Sequence, residues 1–206
     1  VTSQAAIGLI FDEQKKPRQA KYWVSKAAEQ GDGFAQTVLG TWYYSGKNLR
    51  RNEPLAFSWV QKAANQKYAW AQQVVGQFYK NGVGVTQDYA LSRRWFLRAA
   101  KQGNTMAMYW IGDFYLDGHG VKKNVSHAKS WFLRGAVHNN AHCQLRLAYI
   151  FEKSPSTYEH AYNWYLRSAK EDHPLAQYYL FDHLMTGELT GIPDVDRAYY
   201  WLERAV

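Results

Sequence analysis

The hydrophobic positions of this chain follow a helical period, and the helical pattern itself recurs along the sequence. Apolar residues return at steps of three to four residues, the spacing of one helix face. One phrase, as in AKYWVSKAA, centres on a tryptophan and recurs at intervals of 36, 36, 36, 33 and 37 residues. A period near 36 predicts a solenoid, since each unit can bury its apolar face only against its neighbours. The six tryptophans are Trp23, Trp59, Trp95, Trp131, Trp164 and Trp201.

A second phrase alternates with the first and combines a small residue, a glycine five positions later and an aromatic residue eight positions later. Each repeat is therefore predicted to be a helix A, a loop and a helix B. A glycine inside a helix costs about 1 kcal/mol relative to alanine, so we expect the tryptophan of helix B to pack against it. Complete copies start at Ala35, Ala71 and Ala107, degenerate ones at Cys143 and Ala176, and a truncated one at Ser3.

Cap residues mark the predicted helix ends. Glycines follow each complete A phrase at Gly46, Gly82 and Gly118, as left-handed C-terminal caps require. Residues that can act as N-caps stand seven positions before five of the tryptophans. They are Asn52, Asp88, Asn124, Thr157 and Asp194.

The combined motif A-x4-G-x2-Y, Gly-x-Gly-Val, Asp and A-x2-W-x3-A-A resembles the Sel-one-like repeat family, and the resemblance covers essentially the whole chain. It implies an all-α, right-handed α-solenoid akin to tetratricopeptide arrays, with about six helix-turn-helix repeats of roughly 36 residues. It also implies a scaffold that binds proteins, although fold alone does not fix function. We predict one domain, 1–206, with repeats near 1–31, 32–67, 68–103, 104–139, 140–172 and 173–206.

The composition narrows the possible functions. The chain has a single cysteine, Cys143, so an internal disulfide framework is excluded. Because Cys143 stands where other A phrases have alanine, we expect its thiol to be buried and inert. No apolar run reaches the roughly 20 residues of a membrane span. The chain opens inside a helix A phrase, which a removed signal peptide, a longer solenoid or a tag would explain. The first of these would place the protein in the bacterial periplasm or envelope, and otherwise the cytoplasm is expected.

The net charge of +8 has an architectural explanation in part. A basic residue stands three positions after each tryptophan, near the C-terminal end of helix B, where a cation interacts favourably with the helix dipole. The remaining excess lies at Lys47/Arg50/Arg51, Arg93/Arg94 and Lys122/Lys123, and is either a set of solvated loops or a binding stripe for an acidic partner or anionic lipid. The basic column comprises Lys26, Lys62, Arg98, Arg134, Arg167 and Arg204.

No motif for catalysis or cofactor binding is present. The chain contains no phosphate loop, nucleophile elbow or paired zinc-ligand motif, and its carboxylates show no paired spacing. His138 and His142 stand four apart but straddle the predicted turn at Asn139-Asn140, which disfavours a helical metal pair. We therefore predict a protein that is not an enzyme and that has no cofactor, metal or small-molecule substrate.

The candidate site is the exposed face of the A helices, which the resemblance implies to be concave. Four positions of each A helix vary between repeats: the residue just before the alanine that starts the A phrase, and the second, sixth and ninth residues after it. We expect these four columns of residues to be exposed. They include Thr37 and Gln73 and are rich in aromatic residues, which are enriched at interfaces. The predicted partner-binding residues are Tyr44, Trp70, Tyr109, Asp113, Tyr149, Tyr178 and Asp182.

Three function classes remain open. The first is a non-enzymatic adaptor that holds a partner protein, such as a secretion or signalling component, in the concave groove. The alternative, also implied by the resemblance, is an immunity protein that neutralises a secreted antibacterial toxin, for example a lipase-type effector. A binder of nucleic acid or anionic surfaces rests on the basic loops alone, and a nucleic-acid partner is not expected; its affinity would fall steeply with salt.

Overall fold

The computed structural model describes residues 4–205, whose regular structure is entirely helical. Ser3, where the truncated first copy was predicted to begin, lies outside the described residues, as do Val1 and Val206. Within residues 4–205, no helix is both long and apolar enough to cross a membrane. The helices are α1 (Gln4–Glu13), α2 (Pro17–Glu29), α3 (Gly33–Ser45), α4 (Glu53–Asn65), α5 (Ala69–Asn81), α6 (Tyr89–Lys101), α7 (Thr105–Asp117), α8 (Val125–Ala136), α9 (Ala141–Phe151), α10 (Tyr158–Lys170), α11 (Pro174–Thr186) and α12 (Val195–Ala205), with a 3₁₀ turn at Pro155–Thr157.

The chain forms two compact units, residues 1–107 and 108–206. In unit 1, each A helix packs against its own B helix, as α3 does against α4, and each B helix packs against the next A helix. Unit 2 repeats this order from α8 to α12. The odd-numbered helices are therefore the A helices and the even-numbered ones the B helices. The single-domain assignment stays a prediction.

The recurring glycines accommodate the residue that follows each tryptophan. A Cβ atom added at Gly40 would lie 2.4 Å from the Cγ2 atom of Val60, and one added at Gly76 would lie 2.7 Å from the ring of Phe96. The expectation that the tryptophan itself fills this space is therefore wrong. Consecutive helix residues point about 100° apart, so only one of the two neighbours can face the A helix.

The tryptophans pack beside the core and under the basic column. Trp95 and Trp201 are buried, whereas the other four tryptophans of the motif are half-buried. The Nζ atom of Lys62 lies 4.1 Å from the ring centroid of Trp59, and the guanidinium of Arg98 lies 4.3 Å from that of Trp95. These are cation–π contacts, which stabilise the tryptophan face in addition to any effect on the helix dipole. The same contact recurs at Lys26/Trp23, Arg134/Trp131 and Arg167/Trp164.

Most of the predicted caps are confirmed. Thr157 is the exception, because its hydroxyl donates to the carbonyls of Phe151 and Ser154 within the 3₁₀ turn and makes no cap hydrogen bond. The confirmed N-caps, with side-chain oxygens that accept a backbone N–H at 2.8–3.1 Å, are Asn52, Asp88, Asn124 and Asp194. The confirmed left-handed C-terminal glycines are Gly46, Gly82 and Gly118.

A column of glutamines, which the sequence analysis missed, joins four of the A helices, α3, α5, α9 and α11, to the preceding B helix. The Nε2 atom of Gln72 donates to the carbonyl of Ala64 at 3.2 Å, and Gln102 donates to the Oε1 atom of Gln72 at 2.9 Å. These carbonyls also accept a backbone N–H, as that of Ala64 does from Lys67, so the glutamine adds a second hydrogen bond at the C-terminus of the helix. In the sequence, each glutamine of this column directly follows the small residue that starts the A phrase, so the pair Ala-Gln or Cys-Gln could have revealed the column. Equivalent bonds to the preceding helix are made by Gln36, Gln144 and Gln177.

Candidate protein-binding surfaces

In unit 1, exposed aromatic rings meet at the start of the A helices. Phe34 opens α3 and Trp70 opens α5, and each side chain is 38% exposed. Their ring centroids lie 5.7 Å apart with the planes tilted by 43°. Trp70, a predicted site residue, thus belongs to an apolar surface patch made by two successive repeats. Apolar patches of this kind often mark interaction sites.

Tyr44, the other predicted residue in unit 1, lies at the opposite end of α3. At a rise of about 1.5 Å per residue, it lies roughly 15 Å along the helix from Phe34. Its exposed ring packs 5.4 Å from the ring of Phe78, and the guanidinium of Arg51 lies 5.7 Å from its centroid. Tyr44 and Trp70 are therefore placed on different parts of the unit 1 surface.

In unit 2, Tyr109 lies in a partly buried cluster on α7 and α9. Its ring centroid is 5.5 Å from that of His142, and its hydroxyl accepts a hydrogen bond from Arg146 at 3.4 Å. Arg146 also donates to Asp113 at 2.7 Å in an ion pair. Burial raises the pKa of Tyr109, so its hydroxyl stays protonated at neutral pH.

The exposure expected for three of the column positions is wrong. Asp113 is 5% exposed, because Arg146 of α9 covers and neutralises it. Thr37 is fully buried and donates to the carbonyl of Gly33 at 2.7 Å, and Gln73 is also buried. Asp113 is therefore placed to orient Arg146, and whether a partner contacts it stays a prediction.

Two histidines form a hydrogen-bonded pair next to Tyr109. The Nε2 atom of His173 and the Nδ1 atom of His142 are 3.0 Å apart. Burial lowers the pKa of both rings, and the nearby Arg146 lowers that of His142 further. The pair is therefore neutral at pH 7, with one ring as donor and the other as acceptor.

These groups line a cavity of about 380 Å³ between α7, α9 and α11. Its walls combine aromatic and aliphatic side chains with one guanidinium and the histidine pair, the mixture of apolar surface and few polar groups that binding pockets show. Two predicted residues, Tyr109 and Tyr149, meet here, whereas the role of Arg146 was missed because its partner Asp113 is 33 positions away. The lining residues are Tyr109, His142, Leu145, Arg146, Tyr149, His173, Leu175 and Tyr179.

The remaining predicted residues lie on the exposed face of α9 and α11. Tyr149 is 39% exposed, and the Nζ atom of Lys153 lies 4.0 Å from its ring centroid. Tyr178 is 50% exposed and lies near Phe181, with 6.3 Å between ring centroids. Asp182 is exposed one helical turn after Tyr178, so the two share a face of α11.

A buried polar cluster in unit 2 has residue types that occur in active sites. The Tyr165 hydroxyl donates to Glu152, whose carboxylate lies 3.5 Å from the Nε2 atom of His183. Burial alone would raise the pKa of Glu152, but the nearby His183 ring and the hydrogen bond from Tyr165 outweigh it, so the pKa is lowered. Because Tyr165 is fully buried and His183 is 7% exposed, the cluster joins helices within the core.

The structure also contains a buried thiol and a cluster of possible metal ligands. Cys143 is fully buried, as predicted, and burial raises its pKa to about 12, so the thiol is inert at neutral pH. Asp113, Asp117 and His119 could bring one atom each within 4.8 Å, but Arg146 already pairs with Asp113. The guanidinium thus supplies the positive charge that a metal ion would bring.

Comparison with known proteins identifies the family. The Sel1 repeat profile matches residues 7–32, 33–68, 71–104, 105–138, 141–173 and 174–206. The chain belongs to the Sel1 repeat family, whose arrays are typically protein-interaction scaffolds without catalysis. A sequence search of curated proteins finds no significant match.

Solved structures of the same fold support this assignment. A Sel1 repeat protein from Oxalobacter formigenes is 31% identical, with a TM-score of 0.92 over 98% of this chain and 85% of that one. A protective antigen of uropathogenic Escherichia coli, described as displaying an SLR fold, is 27% identical, with a TM-score of 0.67 over 98% of this chain and 52% of its own. An immunity protein of Pseudomonas aeruginosa is 17% identical, with a TM-score of 0.68 over 91% and 72%. The predicted all-α solenoid of about six repeats is confirmed.

Proposed function

We propose that this protein is a non-enzymatic adaptor that binds a partner protein on the exposed face of its A helices. The observation that carries the proposal is the exposure of aromatic rings at positions that the repeat does not require. Trp70 in unit 1 and Tyr149 and Tyr178 in unit 2 are each between 38% and 50% exposed. The family resemblance predicts that this face is concave.

These side chains suit a protein interface. A tyrosine brings a large contact area with few rotatable bonds, so ordering it on binding costs little conformational entropy. The cavity beside Tyr149 could receive an apolar side chain of the partner, while Arg146 and the histidine pair at its wall offer polar contacts. In unit 2 the surface thus combines an anchor pocket with exposed rings around it.

Photo-crosslinking at defined positions tests where the partner binds. A photoreactive phenylalanine analogue would replace Tyr149 or Tyr178 on the A-helix face, and Tyr22 in a control variant. Tyr22 is 57% exposed on the B helix α2 and is therefore as accessible as the test positions. We expect adducts with one partner protein from positions 149 and 178 and none from position 22. Equal crosslinking from all three positions would contradict the proposed surface.

A narrower form of the proposal is that the partner is a secreted antibacterial toxin. The likeness to the Pseudomonas aeruginosa immunity protein is one of fold, so it supports compatibility with this role and identifies no toxin. The test is co-expression with toxin genes from the source genome, scored by the growth of the producing cells. Rescue of growth by the wild-type chain, but not by a variant lacking Tyr149 and Tyr178, is expected. Tight binding of a partner without protection from any toxin would leave the general adaptor as the function.

A further inference from the structure

A groove between the B helices α4 and α6 of unit 1 carries positive charge. It has a volume of about 510 Å³, with Ala64 and the buried Trp95 among its lining residues. Three exposed cations, Lys67, Arg98 and Lys101, also line it. None of its lining residues is a carboxylate, and within residues 4–205 no ion pair involves these three cations. We call it the Lys67 groove.

In the corresponding groove of unit 2, between α10 and α12, the arginine equivalent to Arg98 is paired with a carboxylate. The groove is lined by Trp201 and by Arg204, the third residue after that tryptophan. The Nη2 atom of Arg204 lies 2.6 Å from a carboxylate oxygen of Asp172. Asp172 occupies the left-handed turn position, with φ of 55°, two residues after α10 ends.

Lys67 stands at the same place in its own repeat. It follows the end of α4 by two residues and has a φ of 69°, and Arg98 is the third residue after Trp95. The pair Asp172/Arg204 is thus replaced by two like charges, Lys67/Arg98. Lys67 is the one cation in the set of residues at this turn, which comprises Gly31, Lys67, Gly103, Asn139 and Asp172.

We propose that the Lys67 groove binds an aspartate or glutamate side chain from an acidic segment of a partner protein. The carboxylate would take the place that Asp172 fills in the other groove, between Lys67 and Arg98. The methylene groups of such a side chain would lie against Trp95 and Ala64. Lys67 lies beyond the helix, so the helix dipole, which explains cations in the last turn, does not account for it. This second site is separate from the A-helix face and does not depend on it.

Binding of a fluorescein-labelled hexaglutamate peptide, measured by fluorescence anisotropy at physiological ionic strength, tests the site. Lys67→Asp would supply an internal carboxylate to Arg98, so we expect it to weaken binding about tenfold. Lys21→Asp, at an exposed position of α2 outside the groove lining, makes the same change in net charge and is expected to weaken binding less than about twofold, because salt at this ionic strength screens exposed charges outside the groove. Far-UV circular dichroism and thermal melts check that the variants fold, and Lys67→Gln replaces Lys67→Asp if the latter does not.

A reciprocal variant tests the equivalence of the two grooves. Asp172→Lys removes the internal carboxylate from Arg204 and is expected to increase the affinity for hexaglutamate or to add a second binding site. Undetectable binding of the peptide to the wild-type chain, equal weakening by Lys67→Asp and Lys21→Asp, or no gain from Asp172→Lys would each overturn the proposal. A hexathymidylate that binds more tightly than the peptide and depends more strongly on Lys67 would also overturn it, in favour of a nucleic acid.

Discussion

At the scale of single residues, the core of each repeat depends on the side chain after the tryptophan. Phe96 and Phe132 are fully buried, and each lies against the backbone of a glycine on the facing A helix. The tryptophans contribute at the boundary between repeats, where one face is covered by a basic side chain. The residue after the tryptophan therefore provides close packing within a repeat, and the tryptophan covers the groove between repeats.

Phe96→Ala should destabilise the protein more than Trp59→Ala does. Truncation of a fully buried large aromatic residue costs about 3–5 kcal/mol. Trp59 is half-buried, so its loss should cost roughly 1–2 kcal/mol in proportion to the smaller apolar area that it buries. Urea unfolding followed by circular dichroism measures both changes. A larger cost for Trp59→Ala would show that the tryptophan column is the main core after all.

Tyr149→Ala and Tyr178→Ala together should weaken partner binding by about 2 kcal/mol or more, as the loss of interface hot spots does. Both side chains are substantially exposed, so the free energy of unfolding should change little. Isothermal titration calorimetry with the crosslinked partner, once identified, gives the affinity. Tyr22→Ala, on a B helix, is the matched control and should bind normally. An unchanged affinity for the double variant would place the partner elsewhere on the chain.

At the scale of helices, side-chain hydrogen bonds between elements determine how successive repeats join. The glutamine column connects the start of four A helices to the end of the preceding B helix, for example from Gln144 to the carbonyl of Ala136 at 3.3 Å. In unit 2, the His142–His173 pair joins α9 to the residue that precedes α11. These two helices also carry Tyr149 and Tyr178, so their spacing affects the proposed surface.

The histidine pair should make stability depend on pH. Both rings have a pKa below the ordinary value of 6.5, so the unfolded chain binds more protons than the folded one as the pH falls below 6.5. The free energy of unfolding should therefore be highest and constant with respect to this pair above pH 7, and it should decrease between about pH 6.5 and 5. His173→Gln should remove most of this slope in urea titrations at several pH values. The carboxylates of Asp12 and Glu152 have lowered pKa values and act at more acidic pH. A slope unchanged in the variant would contradict the role of the pair.

At the scale of the whole molecule, the net charge of +8 does not indicate a nucleic-acid partner. Five of the six basic residues in the repeat column lie over tryptophan rings, where they contribute to the packing of the helices. The charge that could bind a ligand is local, and the Lys67 groove is its best example. Counting charges over the sequence would not separate these two roles.

The predicted single domain, which the two compact units leave untested, should unfold in one transition. Each repeat buries its apolar face only against its neighbours, so coupling between adjacent repeats should spread along the array. Thermal unfolding followed by tryptophan fluorescence and far-UV circular dichroism should give coincident curves. Two separate transitions would show that residues 1–107 and 108–206 unfold independently.

The sequence by itself determined the repeat length, the helix pairs, most of the caps and the identity of the family. These features depend on local spacing, because helical periodicity and capping involve residues that are close along the chain. Thr157 was misassigned because its hydroxyl had a competing local partner in the 3₁₀ turn. The sequence also showed that the variable A-helix positions are rich in aromatic residues, because the repeat fixes which residue occupies each position.

The tertiary structure alone decided which of those positions are accessible and which charges are already paired. Asp113 is buried because Arg146, 33 positions later, folds over it, and Arg204 is neutralised by Asp172, 32 positions earlier. Lys67 lacks such a partner in its own groove. The repeat places the backbone at equivalent positions, but the side chain that reaches each position comes from a neighbouring repeat. Exposure and charge pairing therefore follow from packing between repeats, which spacing along the chain does not reveal.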